Sequence, residues 1–143
     1  MKQLLTLLLI TIGFFAKSAE TKPAAEAVKA FETKYGKSTT AAWAFTAQGY
    51  EAQFELNGQV ITAVYSPAGQ LRGYKKHILS TGLPVSLQMS LKKMARGYWV
   101  SDVIEQSSRQ GTAYTITIEN GFQQKIMKSV GGQWQLIKTL LKA

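Results

Sequence analysis

The chain has 143 residues, with 17 basic against 8 acidic side chains, one His and no Cys, and a formal net charge of +9. That length supports one ordinary domain, or two small units sharing a core. Without Cys there are no disulfides, thiol nucleophiles or thiolate metal sites, and a single His cannot form a His-Glu-x-x-His centre, so stability has to come from packing.

The chain opens "MKQLLTLLLITIGFFAKSAETK": Lys2, an uncharged apolar run from Gln3 to Ala16, then small residues around Ser18. This is the order of a secretory signal peptide, expected to span residues 1–18 with cleavage after Ser18. The run is shorter than the roughly 20 apolar residues of a membrane span, and no later stretch supplies one. Removing Lys2 and Lys17 from the 17 basic residues leaves 15 against 8 acidic, a charge of +7 on residues 19–143. An exported basic protein is expected to meet an envelope or extracellular protein or peptide, with weak association to anionic lipid or polysaccharide as the alternative. Nucleic acid is not expected, since "RGYKKH" (72–77) and "KKMAR" (92–96) are the only local basic clusters.

Next comes "KPAAEAVKAFETKYG", with Ala24, Ala27, Val28, Phe31 and Tyr35 at spacings of three and four. The spacing predicts an amphipathic helix that Pro23 starts and Gly36 ends. Trp43 and Phe45, then Tyr50, Ala52, Phe54 and Leu56, alternate with small or polar residues, the period of half-buried strands. Asn57-Gly58 marks a two-residue hairpin that sets Leu56 opposite Gln59, Phe54 opposite Ile61 and Tyr50 opposite Tyr65. Pro67-Ala68-Gly69 reads as a three-residue loop with Gly69 left-handed, placing Leu71 opposite Tyr65.

The order then repeats. "LPVSLQMSLKKMARGY" carries Leu87, Leu91, Met94 and Tyr98 on a helical stripe, although Val85, Leu87, Met89 and Leu91 also alternate as a strand would. "YWVSDVIEQ" matches the Trp43 strand, with Val103 inward. In "TAYTITIENGFQQKIMKSVGGQWQLIKTLL" the spacing to the first pass is 63 residues from Gly58/Gly121 onward and 62 before it. A three-residue loop Glu119-Asn120-Gly121 absorbs the extra residue, so that Ile118 faces Phe122 and Tyr114 faces Ile126. A second three-residue loop, Val130-Gly131-Gly132, then sets Trp134 where Leu71 stood.

These elements make an α+β protein of two tandem units, about 23–79 and 83–143, each a helix followed by four antiparallel strands, within a single domain spanning 19–143. The helices are expected on one face of the sheet. The words "KAFETKYG", Trp43, "YEAQFELNG" and "VYSPAGQL" together resemble the beta-lactamase-inhibitor-like, PepSY-like group of small exported bacterial proteins. Ser66 stands where that group commonly has Asp, and Lys128 where the second corner would have Tyr. The resemblance covers about 23–143 and implies helices on one face and an open face or rim available to peptides or proteins. It transfers no beta-lactamase target.

No catalytic constellation is expected. His77 has no acidic neighbour in sequence, and Glu51 and Glu55 stand four residues apart on a strand, roughly 13 Å, too far to act as a carboxylate pair. Neither a nucleophile elbow nor a phosphate loop occurs, so no cofactor and no metal is expected. Attention therefore falls on side chains predicted to point away from the core: Val60, Val64, Arg72, Tyr74 and Lys76 in the first unit, Gln135 and Ile137 in the second. With Thr115, Thr117, Lys125 and Met127 they are expected to form one recognition face, a few apolar anchors in a polar rim.

Overall fold

The computed structural model describes residues 22–143; the expected signal peptide and its cleavage site lie outside the described residues. Helix α1, Ala25–Tyr35, buries Ala27 and Phe31 and ends at Gly36, whose positive φ of 86° and N–H bond to the Glu32 carbonyl close its last turn. Four strands follow: β1 Ala42–Thr46, β2 Gly49–Leu56, β3 Gln59–Tyr65 and β4 Leu71–His77. The Asn57-Gly58 turn has both residues at positive φ, and the expected pairs Leu56–Gln59, Phe54–Ile61, Tyr50–Tyr65 and Tyr65–Leu71 are all present. At the corner the Ser66 N–H donates to the Gln70 carbonyl, and Gly69 sits at φ 81°.

A single turn of 3-10 helix, Ser80–Gly82, leads into α2, Val85–Met94, which buries Leu87 and Leu91, so the helical stripe prevails over the competing strand alternation. Strands β5 Trp99–Ser108, β6 Gly111–Glu119, β7 Gln123–Val130 and β8 Gln133–Leu141 complete the chain. All eight strands form one antiparallel sheet in the order β1-β2-β3-β4-β5-β6-β7-β8.

The two loops of the second unit depart from expectation. Between β6 and β7, Glu119 pairs with Gln124 and Ile116 with Met127, so Ile118 does not face Phe122. The physical reason is Asn120: its Oδ1 accepts from the Phe122 and Gln123 N–H groups at 2.8 and 3.0 Å, and its own N–H donates to the Gln123 carbonyl. This side-chain turn leaves Gly121-Phe122 as a two-residue tip. Phe122 is therefore 81% exposed and Ile126 turns away from the helices, while Met127 is buried beneath α2. Between β7 and β8, Val130 pairs with Gln133, and the loop is Gly131-Gly132 alone, both at positive φ. The two corners thus differ in build, yet Leu71 and Trp134 both reach the helix side.

Three bulges decide the faces. They fall between Val64/Tyr65 against β4, at Val100/Asp102 in β5, and at Ile126/Met127 against β8. Each lets two residues three apart share a face, as Leu71 and Tyr74 do, and Val100 and Val103. Both helices lie on the same side of the sheet: Ala63 under α1 pairs with Tyr74, Tyr74 with Ser107, and Val103 under α2 stands on that same side of β5. Each helix covers its own half. One core holds Phe31 and Phe54, ring centroids 5.0 Å apart, and the other Leu87, Leu91, Ile116 and Ile118.

The first core contains one uncompensated group. The Tyr65 hydroxyl is buried with no hydrogen-bond partner among the described residues, and burial, then the neighbouring Tyr74, push its pKa up to about 12. Tyr65→Phe is expected to stabilise the protein by about 1 kcal/mol at neutral pH, since it removes an unpaired polar atom. The raised pKa keeps the phenol neutral in the fold, so wild type loses stability relative to the variant as pH rises from about 10 to about 12. Urea unfolding at pH 7 and pH 11 checks both statements; a Phe variant less stable at both would refute them.

Candidate functional site

The seven residues expected on one recognition face are divided by the β3–β4 bulge. Val60 and Val64 pair with Glu55 and Glu51, and Gln135 with Lys128, all on the side away from the helices. Tyr74 and Lys76 are not there. The extra residue at the bulge moves Val64 opposite Gly73, so Tyr74 joins Ala63 and Lys76 joins Ile61 on the helix side. Tyr74 is there bonded by Lys34 Nζ and, at 3.0 Å, by the Tyr35 hydroxyl. Burial and this bond push the Tyr35 phenol above its ordinary pKa. Arg72 lies at the bulge and donates from Nη1 to the Gln48 carbonyl at 2.7 Å, at the end of the sheet. Ile137 is exposed at the β8 bulge. Of the second unit's expected outward residues, Thr115 and Thr117 are outward, whereas Met127 and Lys125 share the helix side, Lys125 over the Tyr98 ring.

The open face crosses all eight strands. Near its centre Val64 is only 4% exposed, and Ile104 and Ile126 are half-buried; the sequence predicts Ile126 inward and does not single out Ile104. Polar pairs surround them: Lys75 with Glu51 at 2.7 Å, and His77 Nδ1 with Asp102 Oδ1 at 2.7 Å. The His77–Asp102 contact joins residues 25 apart through the β4–β5 ladder, a proximity no spacing rule shows. Both side chains are substantially exposed, and among the described residues no hydroxyl bonds the other His77 nitrogen, so the pair lacks a nucleophile. Toward the β8 edge, Glu119 accepts from Gln124 at 2.6 Å and Lys142 at 3.2 Å, which together hold its carboxyl below the ordinary range. Lys142 also lies over the Trp99 ring.

Hollows gather at the β4–β5 seam, where the two units meet. On the helix side one of about 460 Å³ is lined by Leu71, Arg72, Tyr74, Ser107 and Arg109, among others. It continues past Tyr74 and Ser107 into one of about 250 Å³ reaching Ile61, Lys76 and Glu105. A third, of about 300 Å³, faces the other way between Val64, Lys75 and Gln106. The seam itself depends on Gly73, where a Cβ would lie 2.2 Å from the Ser107 carbonyl oxygen. Among the described residues no cluster of three His, Asp or Glu side chains is placed to hold a metal.

Searches with the sequence find no matching family model and no matching curated protein. Solved structures do match the fold. A Bacteroides eggerthii protein, provisionally described as periplasmic, superposes with a TM-score of 0.72 at 12% identity, covering 84% of this chain and 89% of that one. A DUF2874 family protein from Bacteroides ovatus gives 0.69 at 17% identity over 84% and 88%. A BLIP-like protein from Bacteroides fragilis gives 0.65 at 14% identity over 88% and 91%. The chain therefore has the tandem fold of the BLIP-like protein: two helices, each followed by four strands, in one sheet.

Proposed function

We propose that this chain is an exported, non-enzymatic module that binds an envelope or extracellular protein or peptide on the open face of its sheet, and so can inhibit what it covers. The observation that carries this reading is the asymmetry of the sheet. Both helices pack on one side, while the other is bare across eight strands and presents Val60, Ile104 and Ile126 among threonines, amides and charges. Apolar anchors inside a polar rim are the anatomy of a recognition surface. The fold shared with a BLIP-like protein and with one provisionally described as periplasmic supports the same reading, as does the signal-like N-terminus. No helix among the described residues is long and apolar enough to cross a membrane.

Affinity capture from an envelope extract, comparing three proteins, tests the reading. A partner held by wild type and by Tyr74→Ala, but at least about 30-fold weaker with Val60→Asp/Ile126→Lys, is the expected result, because a buried charge at an anchor costs about 2 kcal/mol or more. Retention in moderate salt separates it from loose attachment to anionic surfaces. Equal recovery of every partner by all three proteins would remove the open face from consideration.

A further inference from the structure

The helix-side seam is not used by the reading above, which places the partner on the opposite face. We propose that it is a separate site for a small amphipathic carboxylate: an apolar body ending in one carboxylate group.

Its space follows from the fold. Helices α1 and α2 each cover their own half, and Gly73, Ser107 and Ser108 put almost no side-chain volume at the junction. The result is a hollow of about 460 Å³ running on into one of about 250 Å³, within the range of small-molecule clefts. Leu71 and Tyr74 give it apolar walls.

Its charge is one-sided. Arg72 and Arg109 both line the outer end, no acidic residue lines that end, and neither guanidinium has an ion-pair partner among the described residues. Arg72 stands at the end of the seam and lines the hollows on both faces; its bond to the Gln48 carbonyl, on the open-face side, uses one of its five donors. The one acid of the inner hollow, Glu105, is engaged by Lys76 at 3.3 Å. An anion therefore belongs at the arginine end and the apolar body along Leu71 and Tyr74, toward the inner hollow. A guanidinium fork matches a carboxylate through two parallel bonds, and neither helix N-terminus lines the hollow to add the backbone N–H cradle that a phosphate dianion draws on.

Such a group occurs on a free alkyl acid or at the C-terminus of a peptide, and NMR titration of isotope-labelled protein separates the two. The probes are decanoate against decanol, and N-acetyl-Leu-Phe against its C-terminal amide. The expected result is submillimolar binding by at least one acid, read from the amides of Leu71, Arg109 and Ile61, which line the helix-side hollows and not the open-face one, at least tenfold tighter than its neutral counterpart. Arg72→Gln/Arg109→Gln should abolish that tenfold preference; both side chains are exposed, so this variant keeps the test valid should the cavity-filling Ser107→Leu fail to fold. If Ser107→Leu folds, it should not bind. The proposal is overturned if neither acid moves these amides below about 5 mM, if acid and neutral probes bind alike, or if the shifts fall on the open face.

Discussion

Trp134→Ala is expected to lower the unfolding free energy by about 3–5 kcal/mol, the cost of removing a large buried aromatic from a core that cannot collapse around the gap. Trp134 leads β8, the last strand of the sheet, and packs with Leu83, Leu87, Leu91 and Met127 in the second core. Its indole N–H also donates to the Leu87 carbonyl at 3.1 Å, tying β8 to α2. Trp134→Phe keeps most of the ring and loses this bond, so its cost should be smaller, with about 1 kcal/mol from the hydrogen bond. Urea denaturation of the three proteins gives the comparison; an Ala variant within about 1 kcal/mol of wild type would show that the strand does not depend on this anchor.

Gly73→Ala should be nearly as damaging, by about 3 kcal/mol, although it adds a single methyl group. The new Cβ would lie 2.2 Å from the Ser107 carbonyl oxygen, and the clashing atom belongs to backbone already fixed in the β4–β5 ladder. Relief requires the two strands to part, and in the sheet this is the ladder that joins the halves. Beyond the lower midpoint, the variant should lose cooperativity: Trp43, in the first core, and Trp134, in the second, should report separate transitions. Gly121→Ala is the control, since a Cβ there meets nothing within 4 Å and the position lacks a positive φ. Equal stability of the two alanine variants would mean that the seam tolerates separation.

The first four strands were legible as far as Leu71 because local chemistry determined them. Asn57-Gly58 allowed one hairpin register and Gly69 one corner. The next step was hidden by a bulge, which reverses the inside-outside alternation for the rest of the strand. Leu71 and Tyr74, two apolar residues three apart in a strand, were its trace, and Val100 and Val103 repeat it. Strict alternation therefore sent Tyr74 and Lys76 to the wrong side and split the expected site. In the β6–β7 hairpin two apolar registers competed, and the side chain of Asn120 decided between them through bonds that a count of apolar positions does not include. The seam hollow was illegible for a different reason. It arises from where two helices stop, and no single segment encodes that.

The sheet order β1 to β8 is also the order of the chain, so every ladder closes between consecutive strands and none waits for a distant one. Contacts this local favour fast folding. They also permit folding in instalments: as a chain is delivered N-terminus first, α1 and β1–β4 can assemble their own core before α2 arrives, and β4 is then the template on which β5 adds.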